Sequence, residues 1–172
     1  SGYAVGVGGT VRIANVGIKP SQKVKTSNPY NPFLEVDNYG NEVYYRTLSE
    51  PDYKKLLLEG KVPATNETFI SPFKQYSLKY EGVLVKFYTQ PGTSRELQYI
   101  GVAGNSSTKR EAFPSMEKAK KGWVDNNQAL FKLEGRKDGF NNGNGVVNTG
   151  LGRTEALDKF NKNIIFFERI DK

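Results

Sequence analysis

Two absences limit the side chains that are available for catalysis in this chain. Its 172 residues include no histidine and no cysteine. A Ser-His-Asp triad, a paired-histidine ribonuclease mechanism, a thiolate nucleophile and a cysteine-based zinc site are therefore excluded. Any chemistry has to come from carboxylates, from Arg and Lys, from the hydroxyls of Ser, Thr and Tyr, or from backbone groups.

Arg46 is the first candidate for a functional residue, because it is a lone cation in a run of aromatic and β-branched residues. Residues 43–48 read Val-Tyr-Tyr-Arg-Thr-Leu, a composition typical of a β-strand. An arginine in such a strand either faces solvent or binds an anion, and spacing alone leaves both interpretations open. If it binds an anion, its planar fork of donors can grip a pyrophosphate in a bidentate manner that a lysine cannot match.

Ser71 is the second candidate, and it directly precedes Pro72. A serine before a proline that opens a helix is an ordinary N-cap. The same position would fix the hydroxyl at the end of a strand, where a ligand can reach it. The structural role and the binding role are therefore compatible.

Three glutamates compete for the role of a catalytic carboxylate. Glu134 ends an apolar strand and precedes a loop rich in Gly and Asn over residues 135–145, so we prefer it. Glu155 falls in the first turn of a predicted helix, where an acid also stabilises the helix dipole. Glu168 lies on the last predicted strand and can simply face solvent. The glycines of residues 150–152 match neither the G-x-G-x-x-G pattern nor the P-loop, so no phosphate loop is expected there.

The elements that must position these residues alternate between short strands and a few short helices. The pattern predicts an α+β fold with a mainly antiparallel, split β-sheet core. A capping serine, an early proline and Gly60 mark the first helix. Strands are predicted over 43–48, 67–71, 82–88, 97–102, 129–134, 146–152 and 164–170, and helices over 49–60, from Pro72 to Gly82 and over 154–161.

The sequence predicts an N-terminal arm followed by one domain. Residues 1–41 are rich in Gly and turn residues and predict a linker or a docking arm, whereas residues 42–172 predict a single catalytic domain.

The net charge of +7 favours an acidic partner or, equally, a basic solvated surface. No apolar stretch is long enough to span a membrane, and the first residues do not resemble a signal peptide.

The order of these features resembles the R-S-E class of ADP-ribosyltransferases. In that class an Arg lies on the first strand, a Ser-containing strand follows one helix later, and a Glu lies on a later strand. Within that class the chain is similar to TreTu-type toxin domains, found at the C-termini of Rhs and related polymorphic toxins. The resemblance covers roughly residues 43–170. It is carried by residues 43–49, 60–65, 67–72, 80–87, 121–123, 131–135 and 150–152.

This resemblance implies an ADP-ribosyltransferase-like fold and an NAD+–protein ADP-ribosyltransferase that uses NAD as its substrate and needs no metal. Arg46, Ser71 and Glu134 would be catalytic, with Glu134 beside the cation that develops on the ribose. NAD would contact Arg46, Thr47, Phe69, Ser71, Phe73 and Tyr76, and an aromatic ring would cover the nicotinamide.

The resemblance also implies partners. The target would be a protein, with elongation factor Tu as the family's reported substrate, so that translation in a competing bacterium is blocked. A cognate immunity protein would protect the producer, and a larger secreted protein would deliver the domain to the target-cell cytoplasm. Membrane insertion and nucleic-acid binding are not expected. The 135–145 loop is longer and richer in Asn and Gly than in the family, at a place where such enzymes often recognise their substrate.

Two other function classes are compatible with the sequence. A ribonuclease toxin of the barnase/EndoU-like kind fits the basic charge and the α+β layout, although Lys, Arg and Glu would have to replace the usual histidines. A non-catalytic binding module that uses its basic face is the other alternative.

Overall fold

The computed structural model describes residues 3–5, 11–13 and 34–172 of the chain. Its strands are β1 (Tyr3–Val5), β2 (Val11–Ile13), β3 (Glu35–Val36), β4 (Glu42–Leu48), β5 (Phe69–Ile70), β6 (Val83–Thr89), β7 (Gly101–Ala103), β8 (Ala129–Glu134), β9 (Val146–Gly150) and β10 (Ile164–Ile170). Its α-helices are α1 (Glu50–Glu59), α2 (Lys74–Leu78), α3 (Thr93–Tyr99) and α4 (Glu155–Asn163), with a π-helical turn at Thr108–Ala112 and a 3-10 turn at Trp123–Asp125.

Two four-stranded sheets form the body of the domain. The first sheet has the order β10-β6-β4-β3 and is antiparallel throughout, and the second has the order β5-β9-β8-β7, with only β7 and β8 parallel. A separate hairpin pairs β1 with β2. The predicted α+β class with a split, mainly antiparallel sheet and a few short helices is confirmed.

One backbone bridge connects the two sheets at the point where they diverge. The amide of Tyr45 donates to the carbonyl of Ser71 at 2.7 Å, and the amide of Ser71 donates back at 2.9 Å. The bridge brings the middle of β4 beside the end of β5. Two stretches of chain that are 26 positions apart thereby share one edge of the core.

The main core lies between the two sheets and is covered by α4. Tyr44 and Leu48 of β4 are buried in this core, as are Phe87 of β6 and Phe160 of α4. Since side chains alternate along a strand, Arg46 shares the face of Tyr44 and Leu48. The arginine therefore projects along the edge of the core and not from the opposite face of the sheet.

Helix α1 begins and ends where the sequence predicts. The hydroxyl of Ser49 accepts a hydrogen bond from the amide of Asp52 at 3.2 Å, and Gly60 ends the helix in the left-handed conformation with φ of 70°. In α4, Ala156, Leu157 and Phe160 are buried, as their spacing indicates.

The prediction of a strand over 97–102 is wrong. Residues 93–99 form helix α3, and the strand β7 is confined to Gly101–Ala103. The carboxylate of Glu42 accepts hydrogen bonds from the amides of Gly92 and Ser94, both at 2.7 Å, and so satisfies backbone donors at the start of this helix. Leu97 is fully buried against the core. This tertiary support outweighs the strand preference of the local composition.

The second predicted helix is shorter than expected. Helix α2 begins at Lys74, two residues after Pro72, and ends at Leu78, before Gly82. The predicted arm is described in part. Its residues 34–41 include β3, which pairs with β4, and Leu34, which is buried in the core, while most of residues 1–33 lie outside the described part.

Gly150 allows an aromatic ring to pack directly on β9. A Cβ atom at this position would lie 2.6 Å from the Trp123 ring and 3.0 Å from Phe69. We expect Gly150→Ala to lower the free energy of unfolding by about 1–3 kcal/mol, because the ring has to move out of a packed position. Urea unfolding of both proteins measures the difference. An unchanged midpoint would show that the ring can shift without cost.

Candidate functional site

A polar cleft of about 500 Å³ opens where the two sheets diverge. Its walls come from β4, from the segment 65–71, from α2 and from the adjacent strands β8 and β9. The cleft brings together six of the seven residues that the sequence analysis selects, which are Arg46, Thr47, Phe69, Ser71, Tyr76 and Glu134. Phe73, the seventh, does not line it.

Arg46 lies in the cleft and donates hydrogen bonds to neutral acceptors. One of its Nη atoms donates to the carbonyl of Phe69 at 2.7 Å and the other donates to Oγ1 of Thr65 at 3.1 Å. Within residues 34–172 no carboxylate forms an ion pair with it, and its buried Nε has no hydrogen-bond partner there. Burial lowers the pKa of the guanidinium below its ordinary value. A desolvated cation with unused donors is suited to binding an anion.

Glu134 is held in the same cleft by two neutral donors. Its Oε1 accepts hydrogen bonds from the Tyr76 hydroxyl at 2.8 Å and from Nδ2 of Asn148 at 2.7 Å. Its Oε2 lies 3.4 Å from the ammonium group of Lys132. Burial and the bond to the Glu134 carboxylate raise the pKa of Tyr76 well above its ordinary value, so this phenol stays protonated and donates. The carboxylate is therefore fixed in one orientation.

The hydroxyl of Ser71 is used locally. Ser71 is buried, and its Oγ accepts a hydrogen bond from the amide of Phe73 at 3.2 Å. The N-cap of α2 is Phe73 and not Ser71, because the helix begins two residues later than predicted. The prediction of Ser71 as the helix cap is wrong, although its hydroxyl does satisfy a backbone donor in the turn that precedes the helix. The hydrogen bonds to the Glu134 carboxylate come from Tyr76 and Asn148 and not from the Ser71 hydroxyl.

The two alternative carboxylates lie outside the cleft. Glu155 is in the first turn of α4 and forms an ion pair with Lys159 at 3.7 Å. Glu168 is on β10 and accepts a hydrogen bond from the Tyr88 hydroxyl at 3.0 Å. Of the three glutamates, only Glu134 lines the cleft together with Arg46.

The aromatic side chains at the cleft have different surroundings. Phe69 packs edge-on against Trp123 with ring centroids 6.4 Å apart. The Tyr76 ring lies 5.3 Å from the Phe140 ring, and the ammonium group of Lys79 lies 3.9 Å from the Tyr76 centroid. Phe140 belongs to the 135–145 loop, so Tyr76 connects that loop with the Glu134 carboxylate.

Sequence reasoning missed Thr65, Lys132 and Asn148. Lys132 and Glu134 are two positions apart on β8, and this spacing places them on one face of the strand, a signal that was available. Asn148 lies on β9 directly opposite Lys132. No pattern in the sequence links Thr65 or Asn148 to the other residues of the cleft.

A larger groove of about 700 Å³ lies between α3 and residues 112–117. It contains none of the residues that the sequence analysis selects. We take the smaller cleft as the candidate functional site, because it combines a cation that forms no ion pair within residues 34–172 with an oriented carboxylate. In the described part of the chain, no group of three or more acidic side chains is placed to hold a metal ion.

The fold and the cleft define an α+β domain with a polar cleft at the point where its two sheets diverge. Residues 40–169 match the family model of the PT3 toxin domain, and the chain belongs to this family. The match covers every residue of the cleft discussed above and indicates a toxin function. No curated protein matches the chain. None of the helices that the structure describes is long and apolar enough to cross a membrane.

Proposed function

We propose that this toxin domain is an NAD-dependent mono-ADP-ribosyltransferase of the R-S-E class. The observation that carries the proposal is the meeting of Arg46, Ser71 and Glu134 in one cleft, although 88 positions separate the first from the last. The proposed target is a protein of the attacked cell, elongation factor Tu by the resemblance described above, so that its modification stops translation.

The reaction breaks the bond between the nicotinamide nitrogen and C1′ of the ribose. The electron pair of this bond leaves with nicotinamide, and positive charge develops on the ribose. The acceptor protein then supplies the electron pair for the new bond and loses a proton. Nicotinamide is already a good leaving group, so no general acid is required. An oriented carboxylate such as Glu134 can stabilise the developing cation.

Arg46 supplies the complementary interaction with the dinucleotide. A guanidinium carries five N–H donors, and the contacts to Phe69 and Thr65 use one donor on each Nη atom. We assign the second N–H donor of each Nη atom to the pyrophosphate, because the Nε atom is buried. No carboxylate within residues 34–172 pairs with this cation, so NAD would not have to displace one there.

The proposed partners rest on the resemblance described above and on the charge. A cognate immunity protein would inhibit the domain in its producer, and a larger secreted protein would carry it to the cytoplasm of the target cell. The net charge of +7 would speed association with an acidic partner.

The test of the proposed function is incubation of the purified domain with adenylate-labelled NAD and a bacterial lysate, followed by incubation with purified elongation factor Tu. Label on a protein band, with release of free nicotinamide, supports the transferase. Degraded tRNA with intact NAD would instead support the ribonuclease. If neither NAD nor RNA is consumed, the domain acts by binding alone.

Tyr76→Phe tests whether the phenol assists Glu134. The change keeps the ring but removes the hydrogen bond to Oε1, and we expect turnover of NAD to fall about tenfold with little change in NAD affinity. Tyr88→Phe is the matched control, since Tyr88 donates to Glu168 at 3.0 Å outside the cleft. Equal turnover in the two variants would contradict a role for the Tyr76 hydroxyl.

A further inference from the structure

The turn that leads into β5 is tied together by two threonines. The amide of Thr65 donates to Oγ1 of Thr68 at 2.9 Å, and the amide of Thr68 donates to Oγ1 of Thr65 at 3.2 Å. These reciprocal bonds close the turn at both ends. They leave Oγ1 of Thr65 facing Arg46, whose Nη atom donates to it at 3.1 Å.

Thr68 adopts a backbone conformation that its side chain disfavours. Its φ is 52°, in the left-handed region, and it is 2% exposed. A β-branched residue seldom occupies this region, and such a conformation persists only where the surroundings hold it. Here the two residues that follow β9 provide that support. The amide of Leu151 donates to the carbonyl of Thr68 at 3.0 Å, and the amide of Gly152 donates to that of Glu67 at 2.9 Å.

Both acceptors of the Arg46 guanidinium belong to this braced segment. The carbonyl of Phe69 accepts a hydrogen bond from one Nη atom at 2.7 Å, and Oγ1 of Thr65 accepts one from the other Nη atom. Two contacts at the two ends of the fork determine its plane and its rotation. Because both acceptors are neutral, they orient the guanidinium without neutralising its charge.

We propose that Thr65 is a positioning residue that holds the Arg46 guanidinium in the orientation required to grip the pyrophosphate of NAD, and that the strained Thr68 keeps Thr65 in place. This inference rests on the proposed function. We assign Thr65 no contact with the reacting atoms, because its Oγ1 accepts from Arg46 and from the amide of Thr68. Its effect should therefore appear in the affinity for NAD more than in the turnover of bound NAD.

The first test compares Thr65→Val with Thr65→Ser, measuring NAD affinity and turnover separately. Val preserves the shape but cannot accept a hydrogen bond, so we expect NAD to bind about tenfold more weakly, with turnover at saturation within about twofold of the wild type. Ser retains the acceptor and should restore affinity. Thr65→Ala also removes the acceptor but has a smaller side chain, and it should behave like Thr65→Val.

Thr154→Val is the matched control for a lost threonine acceptor. Oγ1 of Thr154 accepts a hydrogen bond from the amide of Asn127 at 3.1 Å, in a region that does not line the cleft. This variant should lose stability but keep its NAD affinity. If Thr65→Val and Thr154→Val bind NAD equally well, or if Thr65→Ser binds as weakly as Thr65→Val, the inference is overturned.

NMR of the arginine side chains separates failure of this inference from failure of the proposed function. In the wild type the Nη groups of Arg46 should show hindered rotation, and in Thr65→Val the rotation should become fast. Fast rotation in the wild type would overturn the inference even if NAD is consumed. Hindered rotation that Thr65→Val releases, in a protein that neither binds nor consumes NAD, would support the positioning of Arg46 and overturn the proposed transferase.

Discussion

Arg46→Ala is expected to abolish transfer of ADP-ribose to protein. The guanidinium is the cation in the cleft that forms no ion pair within residues 34–172, and the proposal assigns it to the pyrophosphate of NAD. Its removal deletes two or more charge-assisted hydrogen bonds to the dinucleotide, and each of these contributes about 1.5–3 kcal/mol. The loss should therefore exceed 100-fold in kcat/KM for NAD.

The fold should survive this substitution. Arg46 shares its strand face with buried Tyr44 and Leu48, but its polar end lies in the cleft. Its loss removes one donor from the carbonyl of Phe69 and one from Oγ1 of Thr65, which still accepts from the amide of Thr68. Circular dichroism and the urea midpoint check this expectation.

Arg46→Lys keeps the charge without the fork and should also be severely impaired. Arg153→Ala is the control, because Arg153 pairs with Asp125 on the surface, away from the cleft. An Arg46→Ala protein that labels its target at the wild-type rate would rule out this arginine as the NAD anchor.

Glu134→Gln is expected to reduce turnover by about 100-fold or more, the scale seen when one electrostatic stabiliser is lost. The amide oxygen of Gln can still accept the hydrogen bonds from Tyr76 and Asn148, so the side chain should keep its position. The substitution removes the negative charge beside the developing cation, together with the ion pair to Lys132. NAD affinity should therefore change little, since the ground state carries less of this positive charge.

The same substitution at Glu155 and Glu168 provides the comparison. Glu155 pairs with Lys159 on α4, and Glu168 accepts from Tyr88 on β10, so both Gln variants should turn over NAD nearly as fast as the wild type. NAD binding and turnover have to be measured separately for all three. If Glu155→Gln or Glu168→Gln is inactive while Glu134→Gln has normal turnover, the role of catalytic carboxylate would be reassigned to that residue. Full activity in all three would contradict the R-S-E assignment and leave the ribonuclease alternative to be tested.

Local signals predicted most of the secondary structure. Ser49 and Gly60 bound α1, and the β-branched runs at 43–48 and 82–88 became the central pair of the first sheet. The failures occurred where distant contacts decide the conformation. Residues 97–102 read as a strand, yet the carboxylate of Glu42, about fifty positions earlier, supports the start of a helix at 93–99.

The sequence alone determined the residue types that can act and the strands on which they lie. Without histidine or cysteine the choice of catalytic side chains narrows to groups such as Arg46, Ser71 and Glu134. Only the tertiary structure decided that these residues meet.

The bridge between Tyr45 and Ser71 joins the two sheets, and Asn148 orients Glu134 across β8 and β9. Thr65 holds Arg46 from a turn braced by the two residues that follow β9. Such hydrogen bonds join residues far apart in the chain, and they depend on distances of a few tenths of an ångström. Local propensity and periodicity carry no information about either.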